Sequence, residues 1–286
     1  MVMSVIEERK IVMNSPGPVN QILDFYKKLE RNPEYEWVKW SKVRKRFTIK
    51  NANAFFIGVM LDQGQTAERA WDGGEHMVDN HFKGKRNFWK SVAATHRSTI
   101  RKICQKGYDE TSYASVFCFN KFPIWLRNAS DKMLNDYKGD PRNIWNVTSE
   151  NVNEIYIRFK SFDGIGDALS KMAQFILVRN YGIAGGIENR SNMSVKPDEL
   201  VRRVLFRSGI STSNKIRESI EALENLHLPS PADFDAAAWI IGREYCLKNK
   251  PKCYSCPILV SCQYGKRHNQ ANSADAKSRG APRSVE

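Results

Sequence analysis

Cys246, Cys253, Cys256 and Cys262 are separated by six, two and five residues, close enough for one loop to wrap a single metal centre. Thiolates are soft ligands, and such groups hold iron–sulfur clusters or structural zinc. Structural zinc usually takes two Cys-x-x-Cys pairs on separate knuckles, and only Cys253 and Cys256 form such a pair. A single loop carrying all four sulfurs suits a cubane 4Fe–4S cluster better; zinc and a pair of disulfides are the alternatives. No apolar stretch follows a basic start at the N-terminus, and no run of about 18 apolar residues is long enough to span a bilayer. The expected compartment is therefore the reducing cytoplasm, where thiols stay free for metal. Cys104 and Cys118 lie far from the group and read as buried small hydrophobes.

A second candidate is Gly164-Ile165-Gly166, which precedes a helix rich in Ala, Leu, Met and Ile. Glycines before a helix N-terminus expose backbone N–H groups and allow close approach, which makes an anion site for a phosphate. With the helical pattern from Val152 to Phe159 in front of it, the turn reads as a helix–hairpin–helix, a sequence-independent clamp on DNA phosphates. About thirty residues later Asp198 opens the helical run ELVRRVLFRSG. Asp at that position is an ordinary N-cap. Its functional reading comes from its order in the chain: hairpin, then Asp, then the four-cysteine loop.

Charge points the same way. The 286 residues hold 45 Lys and Arg against 31 Asp and Glu, a formal net charge of +14, which favours a polyanionic partner through counterion release. From Lys39 to Lys50 the chain carries Lys42, Arg44, Lys45, Arg46 and Lys50 without an acid, with Trp37 and Trp40 beside them. The five histidines are scattered without metal spacing. Tyr108, Tyr113, Phe117, Phe119, Phe122 and Trp125 form an aromatic stretch that reads as core more than as a stacking surface.

The elements that must position these residues are helices. Apolar periodicity predicts them from Pro18 through Leu29, from Ala52 through the run FFIGVML, and over Phe88–Cys104, Trp125–Tyr137, Val152–Phe159, Ala168–Asn180, Glu199–Phe206, Asn214–Leu226 and Ala232–Cys246. Gly73-Gly74, Gly139-Asp140-Pro141, Gly185-Gly186 and Pro229-Ser230-Pro231 read as loops. Strand signals are scarce, so the fold class is all-α. Residues 265–286 are polar and small and read as a disordered basic tail.

Taken together, these motifs resemble the helix-hairpin-helix–Gly/Pro/Asp superfamily of DNA glycosylases, in the iron–sulfur branch of endonuclease III and the mismatch adenine glycosylases. The cysteine spacing is that branch's signature, and the likeness runs from about Phe55 to Cys262, including the lead-in DFDAAAWIIGREYC. It implies a six-helix barrel over 52–190 and a cluster lobe built from 1–51 and 191–264, with double-stranded DNA across the cleft, one base flipped into it, and a monomer. By the same resemblance Asp198 is the catalytic carboxylate, Cys246, Cys253, Cys256 and Cys262 hold a 4Fe–4S cluster, and Gly164, Ile165 and Gly166 grip DNA. Gln63, with Gln65 beside it in VMLDQGQT, matches the residue inserted into the base stack, and Arg44, Lys45 and Arg46 join the DNA contacts. The departures bear on activity. The family's Schiff-base lysine is Ala168 here, which favours a water-using monofunctional glycosylase; Lys171, three positions on, reads as solvated. The acid that protonates a departing adenine is Gly58, the hairpin's usual Pro is Asp163, and the His two residues past the Asp is Leu200. The alternatives are a catalytically silent DNA-binding protein, or a glycosylase/lyase using Lys171.

Overall fold

A computed structural model describes residues 17–31, 47–82, 88–111, 120–186, 193, 198–228 and 231–268. Trp37, Trp40, Arg44, Lys45, Arg46, Tyr113, Phe117, Cys118, Phe119 and the tail beyond 268 lie outside the described residues. All regular structure within them is helical. The chain divides into two compact units, Lys39–Met193 and Met1–Val38 with Ser194–Glu286.

In the first unit, α1 will denote Ile49–Leu61, which Thr48 caps by accepting from Asn51 N at 3.2 Å. Every residue from Ala52 to Leu61 is buried, and a helix apolar all round belongs in a core. α2 (Ala67–His76) crosses it so closely that a Cβ on Gly74 would stand 2.4 Å from the Ala54 carbonyl oxygen. Gly73 and Gly74, read from the sequence as a loop, are therefore inside a helix, and at Gly74 two helix backbones touch.

The expected helix Phe88–Cys104 is two, α3 (Phe88–Ala94) and α4 (Arg97–Thr111). Side chains cause the break: the Thr95 hydroxyl donates to Ser91 O at 2.7 Å, and His96 Nδ1 accepts from Ser98 N at 3.3 Å, ending one helix and capping the next. α5 (Phe122–Tyr137) carries Pro in its first turn and stops at left-handed Lys138, φ 56°. α6 (Val152–Lys160) and α7 (Asp167–Tyr181) pack as the predicted hairpin. An aromatic core of Phe55, Phe56, Trp89, Trp145 and Phe159 fills the unit, with Trp89 Nε1 donating to the buried Asn53 Oδ1 at 2.8 Å. Phe47 packs its ring on Phe55, Trp145 and Tyr181, so residues 47–51 belong with this unit, although the sequence places them with the chain ends.

In the second unit, α8 (Glu199–Ser208) packs against α10 (Pro231–Glu244) and α9 (Ile216–Asn225). The N-terminal helix Pro18–Arg31 lies on α10, and Ser261 Oγ donates to Gln21 Oε1 at 2.7 Å, which joins the two ends of the chain. Gly209 stops α8 at φ +87°, and a Cβ there would strike Gln263 at 2.2 Å.

Candidate functional site

The hairpin turn holds its shape through one glycine. Gly164 has φ +82°, and a Cβ on it would stand 2.3 Å from the Trp125 ring, so both backbone and packing exclude a side chain. Gly166 differs: its φ is −82°, and a Cβ there would meet nothing within 4 Å. Nothing among the described residues requires glycine at Gly166. Ile165 is the buried anchor between them, its N–H donating to Phe162 O at 3.1 Å. Gly166 caps α7, whose first N–H groups have no partner within the helix.

Around this turn lies a charged group that the sequence did not reveal. The Tyr156 hydroxyl donates to Asp167, Lys160 Nζ bonds Asp167 at 3.0 Å, and Lys171 Nζ stands 3.6 Å from it. Both ammonium groups also lie over the Tyr156 ring, at 5.3 and 5.6 Å from its centroid. Lys171 is therefore not the solvated lysine expected; its side chain is 17% exposed and ion-paired. The spacing Tyr156, Lys160, Asp167 is the signal, but only the hairpin fold brings the two helices' residues together. Asp163, where the resemblance has Pro, accepts from Asn128 at 2.7 Å and ties the turn to α5.

Gln63 also serves the turn. Its amide Nε2 donates to Met60 O at 3.0 Å and to Gly164 O at 2.6 Å, linking the C-terminal end of α1 to the hairpin. Gln65 Nε2 donates to Leu61 O at 2.7 Å, while its Oε1 is buried without a hydrogen-bond partner among the described residues. At Gly58, a Cβ would stand 2.3 Å from the Trp71 ring, so the indole occupies the space a longer side chain would need. An open cavity of about 560 Å³ in this unit, lined by Phe47, Trp145 and Tyr181 among others, contains none of the predicted site residues.

In the other unit Asp198 caps α8, one carboxylate oxygen accepting from Val201 N at 2.9 Å. Burial pushes its pKa up from the usual carboxylate range, against hydrogen bonds from the Val201 and Leu200 backbone and the Trp239 side chain and against the charge of Arg202. It is a half-buried carboxylate bonded chiefly through neutral donors.

The same helix reaches the cysteines. Arg203 is 8% exposed and donates to Cys246 O at 2.6 Å and Gly242 O at 3.0 Å. Arg207 donates to Leu247 O at 2.7 Å and Lys248 O at 3.0 Å, approaches Cys246 Sγ at 3.5 Å, and lies over the Tyr264 ring. One ten-residue helix thus carries Asp198 at its start and clamps the first cysteine near its end.

All four cysteines are free thiols, which removes the disulfide reading. They line one cavity of about 20 Å³ with Arg207, Tyr245 and Tyr264, walled by Val204, Ile241, Ile258 and Leu259. Burial pushes the Cys256 thiol up to about 11, and burial followed by the neighbouring sulfurs raises Cys253; burial also leads the rise at Cys262. Four thiols crowded in an apolar cradle can ionise together only beside a cation. Among the described residues, no three His, Cys, Asp or Glu side chains converge to hold a single ion. Four soft thiolates in one cradle are a donor set that suits an iron–sulfur cluster or zinc.

The chain aligns with a thermostable thymine-DNA glycosylase over 93% of its own length and 100% of that chain, at TM-score 0.54 and 18% identity. It aligns with endonuclease III, trapped with DNA as a covalent intermediate in an estranged-adenine complex, over 94% and 100%, at TM-score 0.56 and 15% identity. The chain shares its fold with both of these proteins. No protein-family model and no curated protein matches the sequence. The all-α expectation holds, and among the described residues no helix is long and apolar enough to cross a membrane.

Proposed function

We propose that this protein is a monofunctional DNA glycosylase that hydrolyses the bond between a base and its deoxyribose in duplex DNA. The observation that carries this reading is Asp198, a half-buried carboxylate at a helix start, placed in the chain between the glycine turn and the four cysteines of a fold shared with two glycosylases. Cutting an N-glycosidic bond leaves C1′ of the sugar electron-poor, and an anion nearby lowers that barrier while orienting or deprotonating water. A base in the duplex stack must first be extruded, at a cost of a few kcal/mol offset by backbone contacts. The open face at Gly166, the N-terminus of α7, and Lys160 and Lys171 beside it suit a phosphate. Ala168 brings no amine to the first turn of α7, so water rather than a Schiff base is the nucleophile.

The substrate class follows from Gly58. With Trp71 filling the space beside α1 at that position, this helix has no acid there to protonate a departing base. That favours bases that leave without such help, pyrimidines with a stabilised anion or cationic alkylated purines, over undamaged adenine. Cys246, Cys253, Cys256 and Cys262 would hold a 4Fe–4S cluster, which when bound supplies a cross-link between α10 and the terminal loop. Arg203 and Arg207 would carry that rigidity to the helix of Asp198.

The test is an abasic-site product assay on duplexes holding uracil, mispaired thymine, oxidised pyrimidines, alkylated purines or mispaired adenine. Cutting by the unmutated protein and none by Asp198→Asn is the expected result. No cutting by either leaves a DNA-binding protein, and equal cutting by the variant removes Asp198 as the reacting group.

A further inference from the structure

The C-terminal end of α1 is closed by two glutamine amides. The last carbonyls of a helix have no partner inside it. Here Asp62 N donates to Gly58 O at 3.0 Å, Gln63 Nε2 to Met60 O at 3.0 Å and Gln65 Nε2 to Leu61 O at 2.7 Å. Between the two glutamines the chain reverses at Gly64, φ +67°. Gln63 reaches further than Gln65: the same amide also donates to Gly164 O at 2.6 Å, in the hairpin 101 residues on. A carbonyl oxygen only accepts, so both bonds require the NH2 end of the amide, which settles its orientation. The far end of this bond is a fixed point. Gly164 stands against the Trp125 ring at φ +82°, and Asp163 beside it accepts from Asn128 at 2.7 Å.

We propose that Gln63 is a positioning residue that ties the turn after α1 to the hairpin, so that the two meet duplex DNA as one surface, and is not the side chain inserted into the base stack. An inserted side chain must leave the protein with its amide free. This amide is bonded to carbonyls of two different elements, and its departure would break both bonds. Gln65 is likewise turned back onto α1, and the exposed Gly64 between them presents backbone alone. Gly64 and Gly166, one on each side of the tie, both leave open space where a Cβ would stand. Two such bare positions held in register suit the close approach of a phosphate backbone. The proposal rests on the hairpin as a DNA contact, which is part of the reading above, and is independent of Asp198.

Gln63→Met keeps the length of the side chain and removes both donors. In the full-length protein without DNA, amide hydrogen exchange at Ile165, whose N–H donates to Phe162 O, should quicken about fivefold, the factor a typical hydrogen bond is worth. Affinity for an undamaged duplex should fall by a similar factor. Gln65→Met removes the Leu61 bond alone and should leave Ile165 exchange as it was. Unchanged exchange in Gln63→Met, or equal quickening in Gln65→Met, overturns the tie. Quickened exchange with unchanged affinity overturns its role toward DNA. Should Gln63→Met fail to fold, the unmutated protein decides: the Gln63 Nε2 proton resonances must stay protected from exchange when duplex is added, and their release on binding overturns the proposal. None of these readouts requires a base to be cut, so failure of the glycosylase reading is seen separately, in the abasic-site assay.

Discussion

Asp198 caps α8 and is the proposed reacting carboxylate, and substitutions separate the two roles. Its side chain caps α8, so Asp198→Ala should lose about 0.5–2 kcal/mol of stability with all base excision. Asn caps as well as Asp. Because burial raises the folded pKa of Asp198, its favourable contribution is complete below the unfolded pKa and is lost as pH rises through the folded one. At neutral pH the ionised group therefore burdens the fold. Asp198→Asn should melt at or above the unmutated temperature while being inactive; a clear drop in Tm would contradict the burial argument. For the same reason, base excision should fall with acid at a pH above the ordinary carboxylate range. The sequence pointed to Asp198 through its place between hairpin and cysteines.

At the level of elements, the hairpin's two glycines make opposite predictions. Gly164→Ala places a Cβ in the Trp125 ring at φ +82°. It should cost roughly 1–2 kcal/mol from the left-handed backbone alone, more with the clash, measured by denaturant unfolding. Gly166→Ala meets open space at an ordinary φ, so its stability should stay within about 0.5 kcal/mol. If a phosphate approaches that face, DNA affinity should nevertheless drop severalfold; unchanged binding by Gly166→Ala would remove the hairpin from the DNA interface. The two positions look identical in the sequence, where GIG reads only as a turn before a helix. The side chain of Trp125, from a different helix, is what tells them apart. Gly74 teaches the same lesson in reverse, since glycine as punctuation and glycine as a close crossing are the same letter.

For the whole molecule, the four thiols and the net charge make the remaining predictions. The purified protein should contain iron and acid-labile sulfide in equal amounts and absorb at the sulfur-to-iron charge-transfer band; zinc without sulfide would refute the cluster. Cys256→Ser, which removes a ligand from the most strongly raised thiol, should lower the Tm of the unit that carries the cysteines more than that of Lys39–Met193. Two resolved melting transitions, only the cysteine unit's shifting, is the expected scan. Duplex binding should weaken linearly on a log–log salt plot, by about 0.9 per phosphate contacted, as a charge of +14 demands.

The sequence alone determined the helical class, the grouping of four cysteines and the order from glycine turn to Asp to cysteines. Those are carried by residue type, period and spacing, which are local quantities. The tertiary structure decided what each residue touches. It tied Gln63 to the Gly164 carbonyl, drew Lys171 into the Asp167 and Tyr156 group, filled the space beside Gly58 with Trp71, and closed α10 on α8 at Gly242. Each of these contacts joins segments that no period links, and each exists because helix backbones close to within a glycine's width or a turn folds one helix back on another.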